Sequence, residues 1–209
     1  MGTRYSDVID QLRTAYDGGA ATRDRREKAS WKLAERAAFL ERLRGQGSRR
    51  LLELGAGTGH DSAYFQEQGL DVVAVDLSPQ MVARCRAKGL DARVMDFLHL
   101  DFPPESFDAA YAINCLLHVP DGELPAVLAA IRGLLRPGGL FFLGVYGGRE
   151  HAGTLDDDDH DPPRFFAFRT DETIQRYAAR SFDIVDFHVV APDGLHFQSL
   201  TLRRPADPI

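Results

Sequence analysis

The stretch that most constrains this chain is LLELGAGTGHD, positions 51–61. Apolar residues around Glu53, followed by glycines at Gly55, Gly57 and Gly59, describe a buried strand that breaks into a tight turn and restarts as a helix. Glycine takes up positive φ without a Cβ penalty and lets a ligand lie against bare backbone, while the N–H groups opening the next helix stay free to meet it. The spacing is G-x-G-x-G, which differs from the G-x-G-x-x-G of dinucleotide pyrophosphate turns. About twenty residues after the first glycine a second apolar strand, VVAVD, ends in Asp76, where a carboxylate can accept hydrogen bonds from both hydroxyls of a ribose. Together the two features predict a nucleoside site.

Three further segments follow in order: ARVMDF, ending in Asp96 and Phe97; FDAAYAIN at 107–114; and LLRPGGLFF at 134–142. This order resembles the class I S-adenosylmethionine-dependent methyltransferases, in their broad small-molecule group, from about Leu51 to Tyr146. The resemblance implies an α/β fold with a doubly wound, seven-stranded, mostly parallel sheet, a Rossmann-like arrangement with an antiparallel last strand and a helical N-terminal cover. It implies S-adenosylmethionine as cofactor and S-adenosylhomocysteine as product. Glu53 and the loop Gly55, Ala56, Gly57 and Gly59 would hold the methionine end, Asp76 the ribose and Asp96 the adenine amino group. Leu77, Met81 and Phe97 would supply apolar area to the ribose and base.

In chain order, SDVIDQLRTAYD predicts a helix with Ser6 as its cap and an end at Gly18-Gly19, and a second helix is expected from about Asp24 to Arg44. Tyr16 and Trp31 are the residues on this cover that could reach the cofactor, or they pack as aromatics. Asp61 reads as the cap of the helix after the glycine turn, with the cofactor's ammonium nearby, and Ser78-Pro79 opens the next helix. Asp96 could equally cap a loop. Beyond the carboxyl end of the fourth strand stand Asn114 and His118, the place where open α/β sheets bind ligands. His118 is the candidate general base, its unperturbed pKa of roughly 6.5 suiting proton transfer near neutrality, or else a scaffold residue.

From Gly147 to Thr170 the chain turns polar, a length typical of lids and binding loops. Tyr146, Phe165 and Phe166 are the candidates for shaping an acceptor pocket. The DDDDHD run at 156–161 reads as a solvated loop, because adjacent acids do not arrange themselves into a coordination shell, and no metal site is expected. Thr170 caps a further helix, and two last strands flank Pro192-Asp193-Gly194.

The expected organisation is one domain over 1–209: a helical cover over 1–47, a cofactor-binding core over 48–146, an insert over 147–169 and a C-terminal helix and hairpin over 170–209. A net charge of −6 argues against a duplex nucleic acid partner, which is held through clustered Lys and Arg. No apolar run approaches the roughly 20 residues that span a bilayer, and no leader-like apolar segment opens the chain, so a cytoplasmic monomer or homodimer acting on a small molecule is expected. Cys85 and Cys115 read as reduced thiols. The rivals are a cofactor-binding protein without transfer activity and a nucleotide-dependent oxidoreductase, the latter disfavoured by the glycine spacing and by Asp96.

Overall fold

The computed structural model describes residues 3–206. Helix α1 spans Tyr5–Asp24 and buries Tyr5, Val8, Leu12, Ala15 and Ala20 along one stripe. It starts after Arg4, whose N–H donates to Asp7 at 3.0 Å, so Ser6 is not its cap. Contrary to expectation it continues through Gly18 and Gly19. Each glycine disfavours a helix by about 1 kcal/mol, but this one is pinned on both sides of the pair. Asp17 accepts from the Ser78 hydroxyl and from Gln80 N, and Asp24 pairs with Lys88 and Arg84. Helix α2, Ser30–Gln46, therefore begins later than the expected Asp24 and ends at Gly47 in the left-handed conformation.

Strand β1 (Arg50–Leu54) leads through the glycine turn to α3 (His60–Glu67). The cap of α3 is Gly59, not Asp61, whose carboxylate is instead engaged by Lys28 and Arg36. Then come β2 (Asp71–Asp76), α4 (Pro79–Ala87) and β3 (Asp91–Val94). Ser78 caps α4 by accepting from Met81 N at 3.1 Å. Beyond lie β4 (Phe107–Ile113), α5 (Leu124–Leu134) and β5 (Leu135–Tyr146). A short antiparallel pair, β6 (His151–Gly153) and β7 (Phe166–Phe168), frames the insert. Helix α6 (Asp171–Ala178), capped by Thr170, precedes β8 (Asp183–Val190) and β9 (Phe197–Arg203).

The seven-stranded sheet runs β3-β2-β1-β4-β5-β9-β8, parallel except for β9, which is antiparallel to both its neighbours. Side chains alternate across it with the strand period of two. Leu51, Ala109, Tyr111 and Phe142 face Phe39, Leu40 and Leu43 of α2, while Leu52, Val73, Ala110 and Phe141 share a core with α1 and α5. Burial on both faces is what a parallel sheet requires. The strand order reverses between β1 and β4, and in such sheets a crevice opens at that switch point beyond the carboxyl ends.

The insert is more fixed than a solvated loop. Asp158, within the acidic run, is almost wholly buried and forks with Arg164 at 2.6 Å. Phe165 and Phe166 are buried in the main core.

Candidate functional site

At the end of β1, Gly55 (φ 63°) turns the chain so tightly against β4 that an added Cβ would collide with the Cβ of Cys115. The turn is drawn toward β2 by Ala56 N donating to Val75 O at 3.0 Å. Asp76 then takes one backbone N–H on each carboxylate oxygen, Gly57 N at 2.8 Å and Ser78 N at 2.9 Å. Burial pushes its pKa up to about 6, against the pull of those two N–H groups. The carboxylate lines an inner cavity of ≈ 40 Å³ with Leu77, Phe97, Asn114 and Tyr5. That volume is small for any organic ligand. Tyr5 lines the cavity with its ring stacked on Phe97 at 6.0 Å and 12°.

The inner cavity opens into a cleft of ≈ 500 Å³. Glu53 lies at its floor, accepting from the Ser62 hydroxyl, with its pKa raised to about 8 by burial and by the neighbouring Asp61. Trp31 and Tyr146 form one wall at 6.4 Å, and Trp31 also packs on Phe197 at 4.6 Å. Arg23, Arg26, Lys28, Lys32 and Arg164 bring positive charge to the rim.

Between the two spaces stands the corner after β4. Asn114 occupies the left-handed region at φ 53°, a conformation asparagine tolerates better than most residues, and its Oδ1 is buried without a hydrogen-bond partner. His118 follows in a short 3-10 turn, 4% exposed. Its Nδ1 lies 2.6 Å from the Phe165 carbonyl, which can only accept, so Nδ1 carries the proton. Nε2 is then the acceptor for the Tyr16 hydroxyl at 2.5 Å, and burial lowers the histidine pKa to about 3. Arg164 donates to the same hydroxyl at 3.3 Å.

Of the residues marked from sequence, Gly55, Gly57, Asp76, Leu77, Phe97, Asn114, Tyr16 and His118 line the inner cavity, and Glu53, Ala56, Asp61, Trp31, Tyr146 and Phe166 line the cleft. Four line neither. Gly59 packs under Leu90 and Cys85, and Met81 is in the core. Asp96 closes the turn after β3, accepting from Leu98 N, His99 N and the His99 ring. Phe165 meets the site through its carbonyl. Tyr5, Arg23, Lys32 and Arg164 were not anticipated from sequence. Of these only Arg23 adjoins a conspicuous sequence feature, the charged run DRREK at 24–28, which forms the end of α1 and the bend before α2.

A family profile described as a methyltransferase domain matches residues 51–139, the span holding the glycine turn, Asp76 and Asn114. That match is consistent with the class I S-adenosylmethionine-dependent methyltransferase family. Among curated proteins, the chain is 32% identical over 126 residues to methyltransferase GfsG of Streptomyces halstedii, covering 56% of this chain and 44% of that protein. It is 37% identical over 101 residues to a ubiquinone biosynthesis O-methyltransferase of Xanthomonas oryzae, covering 45% and 41%. The alignments thus span less than half the length of these curated relatives. Among solved structures it resembles the 1,6-didemethyltoxoflavin-N1-methyltransferase of Burkholderia thailandensis, crystallised with 1,6-didemethyltoxoflavin and S-adenosylhomocysteine (TM-score 0.69, 29% identity, 94% of this chain and 86% of that one). The [4+2]-cyclase SpnF shares the fold at TM-score 0.74 and 20% identity, covering 96% and 97%. Among the described residues no helix is long and apolar enough to cross a membrane.

Proposed function

We propose that this chain transfers a methyl group from S-adenosylmethionine to a small organic acceptor. The observation that carries the reading is Asp76, a buried carboxylate at the end of β2 whose two oxygens are fixed by Gly57 N and Ser78 N and which opens on the inner cavity. Such a group accepts from vicinal hydroxyls without reorganising. The rest of the donor set fits the same ligand. Gly55 leaves backbone bare, Leu77 and Phe97 offer apolar surface to a base, Asn114 holds an unpaired acceptor, and Arg23 lies over Gly57 where the carboxylate of a methionine tail would come. The base would take the place of the Tyr5 ring, so Tyr5 must swing off Phe97 to admit it.

When bound, the cofactor supplies a methyl group already activated on a sulfonium. The protein's task is then alignment, exclusion of water and removal of a proton where the acceptor bears one. Burial and the neighbouring Asp61 disfavour the charged form of Glu53 at the floor of the cleft. Tyr16 and His118 stand at the corner between cavity and cleft, and because burial disfavours the protonated ring, His118 serves there to orient the Tyr16 hydroxyl rather than as the general base expected from sequence. The acceptor enters from the cleft, between Trp31, Tyr146 and Phe166. We further place the protein in the cytoplasm as a monomer or homodimer acting on small molecules rather than nucleic acid.

Calorimetric titration with S-adenosylmethionine and S-adenosylhomocysteine tests the binding, and incubation with methyl-labelled cofactor and a metabolite extract, read by mass spectrometry, tests the transfer. Binding of both with no labelled product would favour the reading of a cofactor-binding protein without transfer activity. Absence of binding would remove the proposal altogether.

A further inference from the structure

Five Lys and Arg side chains line the cleft, with Glu27, Glu53, Asp61 and Asp193 as its acids, on a protein whose net charge is −6. Two of its five cations have carboxylate partners: Lys28 shares Asp61 with Arg36, and Arg164 forks with Asp158. Glu53 is buried at the floor with its pKa pushed up by burial and by Asp61, and among the described residues Glu27 and Asp193 make no ion pair with these cations. Among the described residues, Arg23, Arg26 and Lys32 make no ion pair. Arg23 lies over Gly57 and belongs with the cofactor end. Arg26 is exposed at the rim, whereas Lys32 is half-buried beside the aromatic wall.

Lys32 is the informative one. Its ammonium sits 5.1 Å from the Trp31 ring centre and 5.3 Å from that of Tyr146. Aromatic faces attract a cation but do not neutralise it. Burial, with help from Lys28 and Arg23, lowers the Lys32 pKa to about 8, the mark of an ammonium stripped of water and short of an anion. On its other side Tyr146 neighbours Asn114, which belongs to both the cavity and the cleft. A ligand whose anion meets Lys32 would therefore lay its body along Trp31 and Tyr146 and extend toward Asn114 and His118.

We propose that the methyl acceptor is an organic anion, a flat apolar body bearing a carboxylate or phosphate, and that Lys32, backed by Arg26 at the rim, is the residue that selects for the charge. This rests on the methyl-transfer reading for the word acceptor, but the anion site is measurable without it. A cationic acceptor is disfavoured for the same reason: it would meet like charge in a poorly hydrated place.

The test is calorimetric titration of the protein, both free and saturated with S-adenosylhomocysteine, with two matched pairs of probes: benzoate against benzamide, and phenyl phosphate against phenol. The charged member of at least one pair should bind about tenfold tighter than its neutral partner, the size of one charge-assisted contact. Lys32→Gln should erase that preference, Lys32→Arg should restore most of it, and S-adenosylhomocysteine affinity should be the same in all three proteins. Preference for benzoate alone identifies a carboxylate, and for phenyl phosphate alone a phosphate. No preference in either pair, including no binding by any probe, overturns the proposal, as does a preference that survives intact in Lys32→Gln. Failure of S-adenosylhomocysteine to bind the wild-type protein would instead sink the methyl-transfer reading, leaving the anion preference to be judged on the free protein.

Discussion

The Tyr16 hydroxyl lies 2.5 Å from Nε2 of His118, joining the N-terminal helix to the corner after β4 across 102 positions of sequence. Since Nδ1 is committed to the Phe165 carbonyl, the histidine has a single lone pair to offer, and Tyr16 occupies it. Any proton that reaches His118 in this arrangement passes through Tyr16 or requires Tyr16 to move. The pair is also a buried polar contact, so removing one partner leaves the other with part of its desolvation uncompensated.

The first prediction is that the two residues act as a unit. Tyr16→Phe and His118→Asn should each lower unfolding free energy by about 1 to 3 kcal/mol, and the double variant should cost less than the sum by about 1 kcal/mol. Urea unfolding of the four proteins measures this. Strict additivity would mean that the contact carries no energy and that the two residues can be assigned separate roles.

Glu53 gives a pH prediction whose sign can be worked out. Its folded pKa of about 8 lies above its ordinary 4.5, so the folded state binds more protons than the unfolded chain between those values, and stability is lost as pH rises through the folded pKa. His118 contributes in the opposite sense but only below 6.5, where the unfolded chain takes a proton that the buried ring refuses. Lys32 shifts the balance only from about pH 8 upward. Between pH 6.5 and 8 the cofactor-free protein should therefore lose about 1 kcal/mol per pH unit through Glu53, and Glu53→Gln should remove that slope. Denaturation series at three pH values, compared between the two proteins, decide it. Parallel slopes would show that Glu53 is ionised in the fold.

Asp76 gives a direct test of the nucleoside site. A carboxylate bonded to two hydroxyls makes charge-assisted bonds worth about 1.5 to 3 kcal/mol each, so Asp76→Ala should weaken S-adenosylhomocysteine binding by roughly a hundredfold or more. Asp101→Ala, on an exposed loop, should leave it unchanged. Asp76→Asn keeps an acceptor for only one of Gly57 N and Ser78 N and sets an NH2 against the other, so it should weaken binding as well. Equal calorimetric affinities for Asp76→Ala and Asp101→Ala would take Asp76 out of the site.

How far this molecule could be read before its structure depends on how local each determinant is. Strands β1, β2 and β4 were legible because a parallel strand buried on both faces is an apolar run, and the turn at Gly55 because only glycine fits against Cys115. Helix α1 was misjudged at Gly18-Gly19, since the contacts that carry it onward, Asp17 to α4 and Asp24 to Lys88, are tertiary. The cations of the cleft were hidden for a similar reason. Nothing in DRREK says that the chain bends there, and it is the bend that turns Arg26 and Lys28 toward Trp31 and Lys32. The acidic run misled in the other direction, because one of its four consecutive aspartates has a buried partner six residues on.

That partner supports the last prediction. The Asp158 side chain is 1% exposed and that of Arg164 15%, and the guanidinium is held by several hydrogen bonds to the one carboxylate while it also reaches the Tyr16 hydroxyl. Removing one member of a buried pair strands the other, typically at about 3 to 5 kcal/mol, whereas changing an exposed charge shifts stability by about 0.5 kcal/mol or less. Asp158→Ala should accordingly be strongly destabilising, and Asp159→Ala, whose carboxylate is 85% exposed, should not. The insert was expected from sequence to be a mobile lid, and the pair divides it in two. Hydrogen exchange in the wild-type protein should be fast at residues 156–157 and slow from Phe166 to Phe168, where β7 pairs with β6. In Asp158→Ala the slow part should become fast, since Arg164 no longer ties the segment to Tyr16 on α1. Exchange from Phe166 to Phe168 that remained as slow as in the wild type would show that the core packing of Phe165 and Phe166 anchors the insert without help from the ion pair.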